Sequence, residues 1–159
     1  MGLSASVIAD HFTLLGALPT GLTLERVCSL VGVSTRDEKI ALGEAALKID
    51  PKASALRVNN DYHGLSVTNL DDAVSPAALF RATAEHLVEE SANMVSLIEK
   101  FTGPATEVVI AGGWVKNPMI ASAKKKQFGS YKVSDATEAG ATGAAEFAGI
   151  AAGILKLRS

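Results

Sequence analysis

A single cysteine, Cys28, stands in 159 residues, so no disulfide can close within the chain and a disulfide-built scaffold is excluded. It sits in "LERVCSLVG" among apolar residues at helical spacing. No histidine or basic cluster stands beside it in sequence, which reads as a buried, inert thiol in a reducing compartment. Excess charge is lacking too: 15 basic and 17 acidic residues leave a formal net charge of -2 and a pI near 5.9. The long-range attraction that general nucleic-acid binding depends on is therefore missing. The opening "MGLSASVIADHF" has no basic leader, and Asp10 and His11 break its apolar run, so it does not read as a secretory signal and the expected location is the cytoplasm. His11, His63 and His86 have no carboxylate or cysteine at ligand spacing, so no metal site is expected. No serine occupies a Gly-x-Ser-x-Gly elbow, and adjacent Glu89 and Glu90 diverge on a helix. No catalytic residue is assigned.

What is present is enough apolar sequence, 48% of the chain, for a core of ordinary size, with one domain over 1–159 as the default. Leu3, Val7, Ile8, Phe12 and Leu15 recur at three- and four-residue steps and predict a first helix stopped by Gly16 and Pro19. A second helix is expected from Thr23 to a cap at Gly32, and a third from the N-cap Ser34 with acidic residues in its first turn. Between Ala53 and Thr68, "SALRV" and "GLSVT" predict two strands joined by the loop "NNDYHG". Ser75 and Pro76 then open a long helix running to Gly103. Its stripe of Phe80, Ala84, Leu87, Ser91, Val95, Ile98 and Phe101 predicts a packed face.

From Thr106 the expected order is strand ("EVVIAG"), helix ("NPMIASAKKKQFG"), short strand ("YKVS") and a long small-residue helix from Ala136 to Leu157. Strands alternating with helices point to an α/β architecture with a mostly parallel sheet. In the last helix Gly140, Gly143, Gly149 and Gly153 together oppose helix formation by about 4 kcal/mol. Close approach of that helix to the sheet is the expected compensation. Its "GIAAG" pattern also allows a membrane reading, which Glu138 and Glu146 weaken.

The stretch most like a site is "VVIAGGWVKNP", Val108 to Pro118. Gly112 and Gly113 at the carboxyl end of a strand either permit a tight turn or leave bare backbone on which a nucleotide can lie. Asn117 before Pro118 has the chemistry of a helix cap. The segment is neither a GxGxxG fingerprint nor a P-loop. Lys124, Lys125 and Lys126 read as a solvated face, with attraction of a phosphate as the alternative.

Three elements taken in order resemble a family. Gly64 and Leu65 precede a helix bearing Leu79, Ala82 and Glu85; a strand runs into Gly112, Gly113 and Asn117; and Glu138, Gly140, Ala141, Gly143, Ala144 and Ala145 open the final helix. This resembles the carboxyl-terminal domain of the FGGY carbohydrate kinases, of the ribonuclease H-like, actin-like ATPase superfamily, over roughly Gly64 to Gly153. The resemblance implies a mixed sheet flanked by helices, with Gly112, Gly113 and Asn117 contacting the adenosine part of ATP and Glu138 to Ala145 shaping the neighbouring wall. Trp114 either flanks the adenine or plugs the domain surface.

The chain departs from the family in lacking an Asp-x-Gly-Thr strand and a Gly-Thr-Ser phosphate loop, in a longer spacer between Leu65 and Leu79, and in carrying His86 where glycine is usual. The implied protein is the ATP-binding carboxyl-terminal half of a two-domain sugar kinase, inactive alone. Its sugar substrate, aspartate base and most of its Mg²⁺ contacts belong to an amino-terminal domain absent from this chain. Nucleic acid and membrane are not expected as partners, and homo-oligomer formation is left open. The rival readings are a non-catalytic interaction module of the same fold and another nucleotide-binding α/β protein.

Overall fold

The computed structural model describes residues 2–5, 12–52, 56–61, 64–71, 74–136 and 138–156. Val7, Ile8, Asp10, His11, Ala53, His63 and Leu157, each used in a sequence expectation, lie outside them. The predicted first helix is corrected: Gly2–Ala5 (β1) and Phe12–Leu15 (β2) are antiparallel strands in the register Gly2↔Leu15 to Ala5↔Phe12. Pairing supplies hydrogen-bond partners that a short amphipathic pattern does not reveal, so tertiary context overrides the spacing.

Helix α1, Thr20–Leu30, starts three residues before the predicted Thr23, which is instead buried inside it. It ends as expected near Gly32, whose φ of +75° suits a residue without a side chain. Helix α2, Arg36–Leu47, is capped by Thr35 rather than Ser34: the Thr35 hydroxyl accepts from the Glu38 N–H while the Glu38 carboxylate accepts from the Thr35 N–H, 2.8 Å. Strands β3 (Arg57–Asp61) and β4 (Gly64–Thr68) form an antiparallel hairpin, so Asn59, Asn60 and Asp61 are strand and not loop. Helix α3, Pro76–Thr102, keeps both predicted ends, with Ser75 accepting from the Ala78 N–H and Gly103 as C-cap. Strand β5 (Val109–Ile110), helix α4 (Pro118–Phe128), strand β6 (Lys132–Val133) and helix α5 (Ala139–Ala151) follow.

The core lies between helices. Leu24, Val27 and Cys28 of α1, Leu42 and Ala46 of α2, and Met119, Ile120 and Ala123 of α4 close around Phe80, Ala84, Leu87 and Val88 of α3. Each large side chain buried here contributes about 1.5–3 kcal/mol. Burial also pushes the Cys28 thiol up from its ordinary pKa, which keeps it protonated as expected of an inert thiol.

The predicted single, mostly parallel mixed sheet is corrected as well. The described strands form three separate two-stranded ladders, and of these only β5 with β6 is parallel. Helix α5 has no buried residue, and a Cβ built on Gly140 or Gly143 would meet nothing within 4 Å, so these glycines do not serve close packing among the described residues. Gly149 is different, because a Cβ there would press on the Leu155 side chain at 2.7 Å where the chain folds back. No described helix is long and apolar enough to cross a membrane.

Candidate functional site

The site grows from the way β5 ends. Its pairing with β6 rests on Lys132 N–H to the Val108 carbonyl, 2.9 Å, and Ser134 N–H to the Ile110 carbonyl, 2.8 Å. Two residues later Gly112 takes φ +102°, a conformation that L side chains rarely adopt, and this turns the chain sharply. Gly113–Lys116 then make one 3₁₀ turn, closed by the Asn117 N–H on the Trp114 carbonyl at 3.0 Å. The Asn117 side chain caps α4, accepting from the N–H groups of Met119 (3.0 Å) and Ile120 (3.4 Å), and Pro118 opens the helix.

This turn forms one wall of a cavity of about 460 Å³, within the range of small-molecule sites. All four residues singled out from the sequence, Gly112, Gly113, Trp114 and Asn117, line it. The facing wall is α2 with Arg36, Lys39 and Ile40, and Glu25 is added from α1. The third side is Val133 to Ala136, the end of β6 and the residues after it; Glu138 to Ala145 are not among the lining residues. A Cβ at Gly113 would meet nothing within 4 Å, so the turn offers bare backbone to the open space.

Trp114 is half-buried. Its ring lies 6.1 Å from that of Phe80, tilted by 35°, and the Lys39 ammonium stands 5.8 Å from its centroid. The indole therefore joins the core edge to the cavity. Lys39 also pairs with Glu25 at 2.6 Å. Arg36 and Lys116 are exposed and unpaired among the described residues, so with Lys39 paired to the exposed Glu25 the lining carries three cations against two acids, Glu25 and Asp135. That balance suits an anionic ligand.

The lysine run behaves otherwise. Lys125 and Lys126 are exposed, Lys124 is partly buried with its pKa lowered by desolvation, and none of the three lines this cavity. His86 accepts the Asn60 N–H on Nε2 at 3.2 Å and lies 3.6 Å from Glu90, so it ties α3 to the outer edge of β3. Arg81 donates to the Ala46 and Ile49 carbonyls at the end of α2 (3.2 and 2.9 Å) and pairs with Glu85 at 3.0 Å. The Glu85 of the family pattern is thereby used in holding helices together. Among the described residues no group of three or more His, Cys, Asp or Glu side chains could hold a metal ion.

The α2 contribution was invisible beforehand. Arg36 and Lys39 stand more than 70 residues before the glycine turn and look like ordinary residues of an exposed helix face. Only the packing of α2 on α4 brings them across.

No protein-family model matches this sequence, and no curated protein matches it significantly. Among solved structures, the fold matches part of a xylulose kinase from Bifidobacterium adolescentis with a TM-score of 0.61 and 20% identity, covering 84% of this chain and 28% of that one. It also matches part of a xylulose kinase from Rhodospirillum rubrum with a TM-score of 0.57 and 16% identity, covering 66% of this chain and 23% of that one. The chain thus shares its fold with a portion of these kinases and spans about a quarter of their length.

Proposed function

We propose that residues 1–159 are one domain, the nucleotide-binding carboxyl-terminal part of an ATP-dependent carbohydrate kinase of ribonuclease H-like, actin-like ATPase architecture. The observation that carries this is the meeting of Gly112, Gly113, Trp114 and Asn117 on one wall of the cavity, in a fold shared with parts of two xylulose kinases. In this reading the adenosine part of ATP lies against the bare backbone of Gly112 and Gly113 beside the Trp114 indole. Arg36 and Lys116 are available to its phosphates.

Phosphoryl transfer depends on positioning and on neutralising charge, so a domain that only grips the nucleotide is a useful half of the machine. Mg²⁺, when bound, neutralises phosphate charge; most of its ligands, the sugar site and the base that deprotonates a sugar hydroxyl are assigned to a further domain. The cytoplasm is the compartment that fits this role. One observation favours a second reading, an interaction module of the same fold: Phe101, Val109, Phe147 and Ile154 are 68%, 56%, 44% and 79% exposed, which is apolar surface suited to another polypeptide.

Titration followed by the fluorescence of Trp114, the chain's single tryptophan, separates the two. The kinase reading expects saturable change with MgATP and with adenosine, at a dissociation constant on the order of 1 mM or below. No change with either ligand would leave the interaction module as the better account.

A further inference from the structure

We infer that Asn117 is a positioning residue that sets the distance between the two walls of the cavity. The inference rests on the nucleotide reading of the site and adds a structural part to this residue. The residue is 4% exposed and its side-chain hydrogen bonds are almost fully committed. Oδ1 accepts from Met119 and Ile120, as described, which occupies both lone pairs. Nδ2 donates to the Lys39 carbonyl at 2.7 Å, across a separation of 78 residues. One amide therefore caps the helix that follows the glycine turn and fastens that turn to α2.

Helix α2 is shaped to receive it. Gly43 lies one helical turn beyond Lys39, on the same face, and a Cβ built there would come within 2.7 Å of Asn117 Nδ2 and 2.8 Å of its Cγ. Gly43 does not have a positive φ, so its backbone does not require glycine. The space does, because a side chain at this position would push the amide away from the Lys39 carbonyl. The residue held by this latch is also the one whose ammonium pairs with Glu25 and stands over Trp114. Release of the latch therefore moves the α2 wall and uncovers the indole.

Asn117→Asp separates the two jobs of the amide. Aspartate caps a helix as well as asparagine does, but it cannot donate to the Lys39 carbonyl and sets a carboxylate oxygen against it. The expected result, in the full chain, is an unchanged far-UV CD spectrum, greater acrylamide quenching of Trp114 without ligand, and about a tenfold loss of MgATP affinity. Gly43→Ala should reproduce both effects, and it serves as the second variant if Asn117→Asp does not fold.

A double substitution supplies the sharper reading. Gly→Ala within a helix ordinarily stabilises, so Gly43→Ala should lower the melting temperature of the wild-type chain but raise it when Asn117→Ser has cleared the space. Additive effects of the two substitutions, or Asn117→Asp with wild-type quenching and affinity, overturn the inference. Failure of the wild-type chain to bind MgATP would instead overturn the nucleotide reading and with it the ligand part of this inference. The quenching and melting results would still decide whether the latch exists.

Discussion

The two ends of helix α3 live in different surroundings. At its amino end Phe80, Ala84, Leu87 and Val88 are 0–1% exposed, enclosed by α1, α2 and α4. Beyond Ser91 the same stripe loses its cover: Val95 and Ile98 are only half-buried and Phe101 is 68% exposed. The short parallel pair β5–β6 likewise leaves Val109 and Val133 exposed, and no residue of helix α5 is buried. Apolar periodicity thus marks a face that can be buried, while the presence of neighbours decides whether it is. The cavity has one wall on the packed helix α2 and the others on the chain just after β5 and from the end of β6 onward.

The largest effect should separate the two ends directly. Phe80→Ala removes a fully buried ring and should cost about 3–5 kcal/mol in urea denaturation. Phe101→Ala, on the same stripe, should change stability by less than about 0.5 kcal/mol. Similar costs at both positions would show that the carboxyl end of α3 is covered in solution.

A smaller effect sharpens the packed side. Arg81 is 15% exposed and satisfies two carbonyls at the end of α2, so Arg81→Ala should cost about 1–3 kcal/mol by the same measurement. A cost near zero would mean that water replaces these bonds without loss.

The smallest effect concerns the start of α2. The Thr35 and Ser34 N–H groups on the Glu38 carboxylate lower its pKa from 4.5 to about 2. A carboxylate with a depressed folded-state pKa stabilises fully above its unfolded value, and that contribution is lost as pH falls through the folded one. The stability advantage of wild type over Glu38→Gln should therefore hold above pH 4.5 and decline to nothing near pH 2. A constant difference across that window would contradict the capping geometry. Glutamine can still complete a capping box, so the comparison isolates the charge.

Much of the frame was legible where a single residue has a strong local reason for its place. Ser75 with Pro76, Gly103, Gly32 and Asn117 with Pro118 all stand at the helix ends expected of them. The four residues picked from "VVIAGGWVKNP" line one cavity, because a strand that ends in glycines and restarts at a cap leaves little freedom for the backbone between. Legibility failed where distant partners decide. Residues 3–15 carry helical spacing, yet β1 and β2 pair with each other. Asn59, Asn60 and Asp61 have turn chemistry but complete a ladder, with His86 of α3 satisfying the outward Asn60 N–H. The α2 wall, with Lys39 held by Asn117, left no local mark at all.

The central claim is that the bare turn at Gly112 and Gly113 receives a nucleotide, and Gly113→Leu tests it most directly. A Cβ there meets nothing and the backbone φ is ordinary, so the substitution fills the cavity without straining the fold. In calorimetric titration with MgATP, the account predicts saturable heat for the wild-type chain and none for Gly113→Leu at the same nucleotide concentrations, with matching far-UV CD spectra. Equal affinity in the two proteins would contradict it.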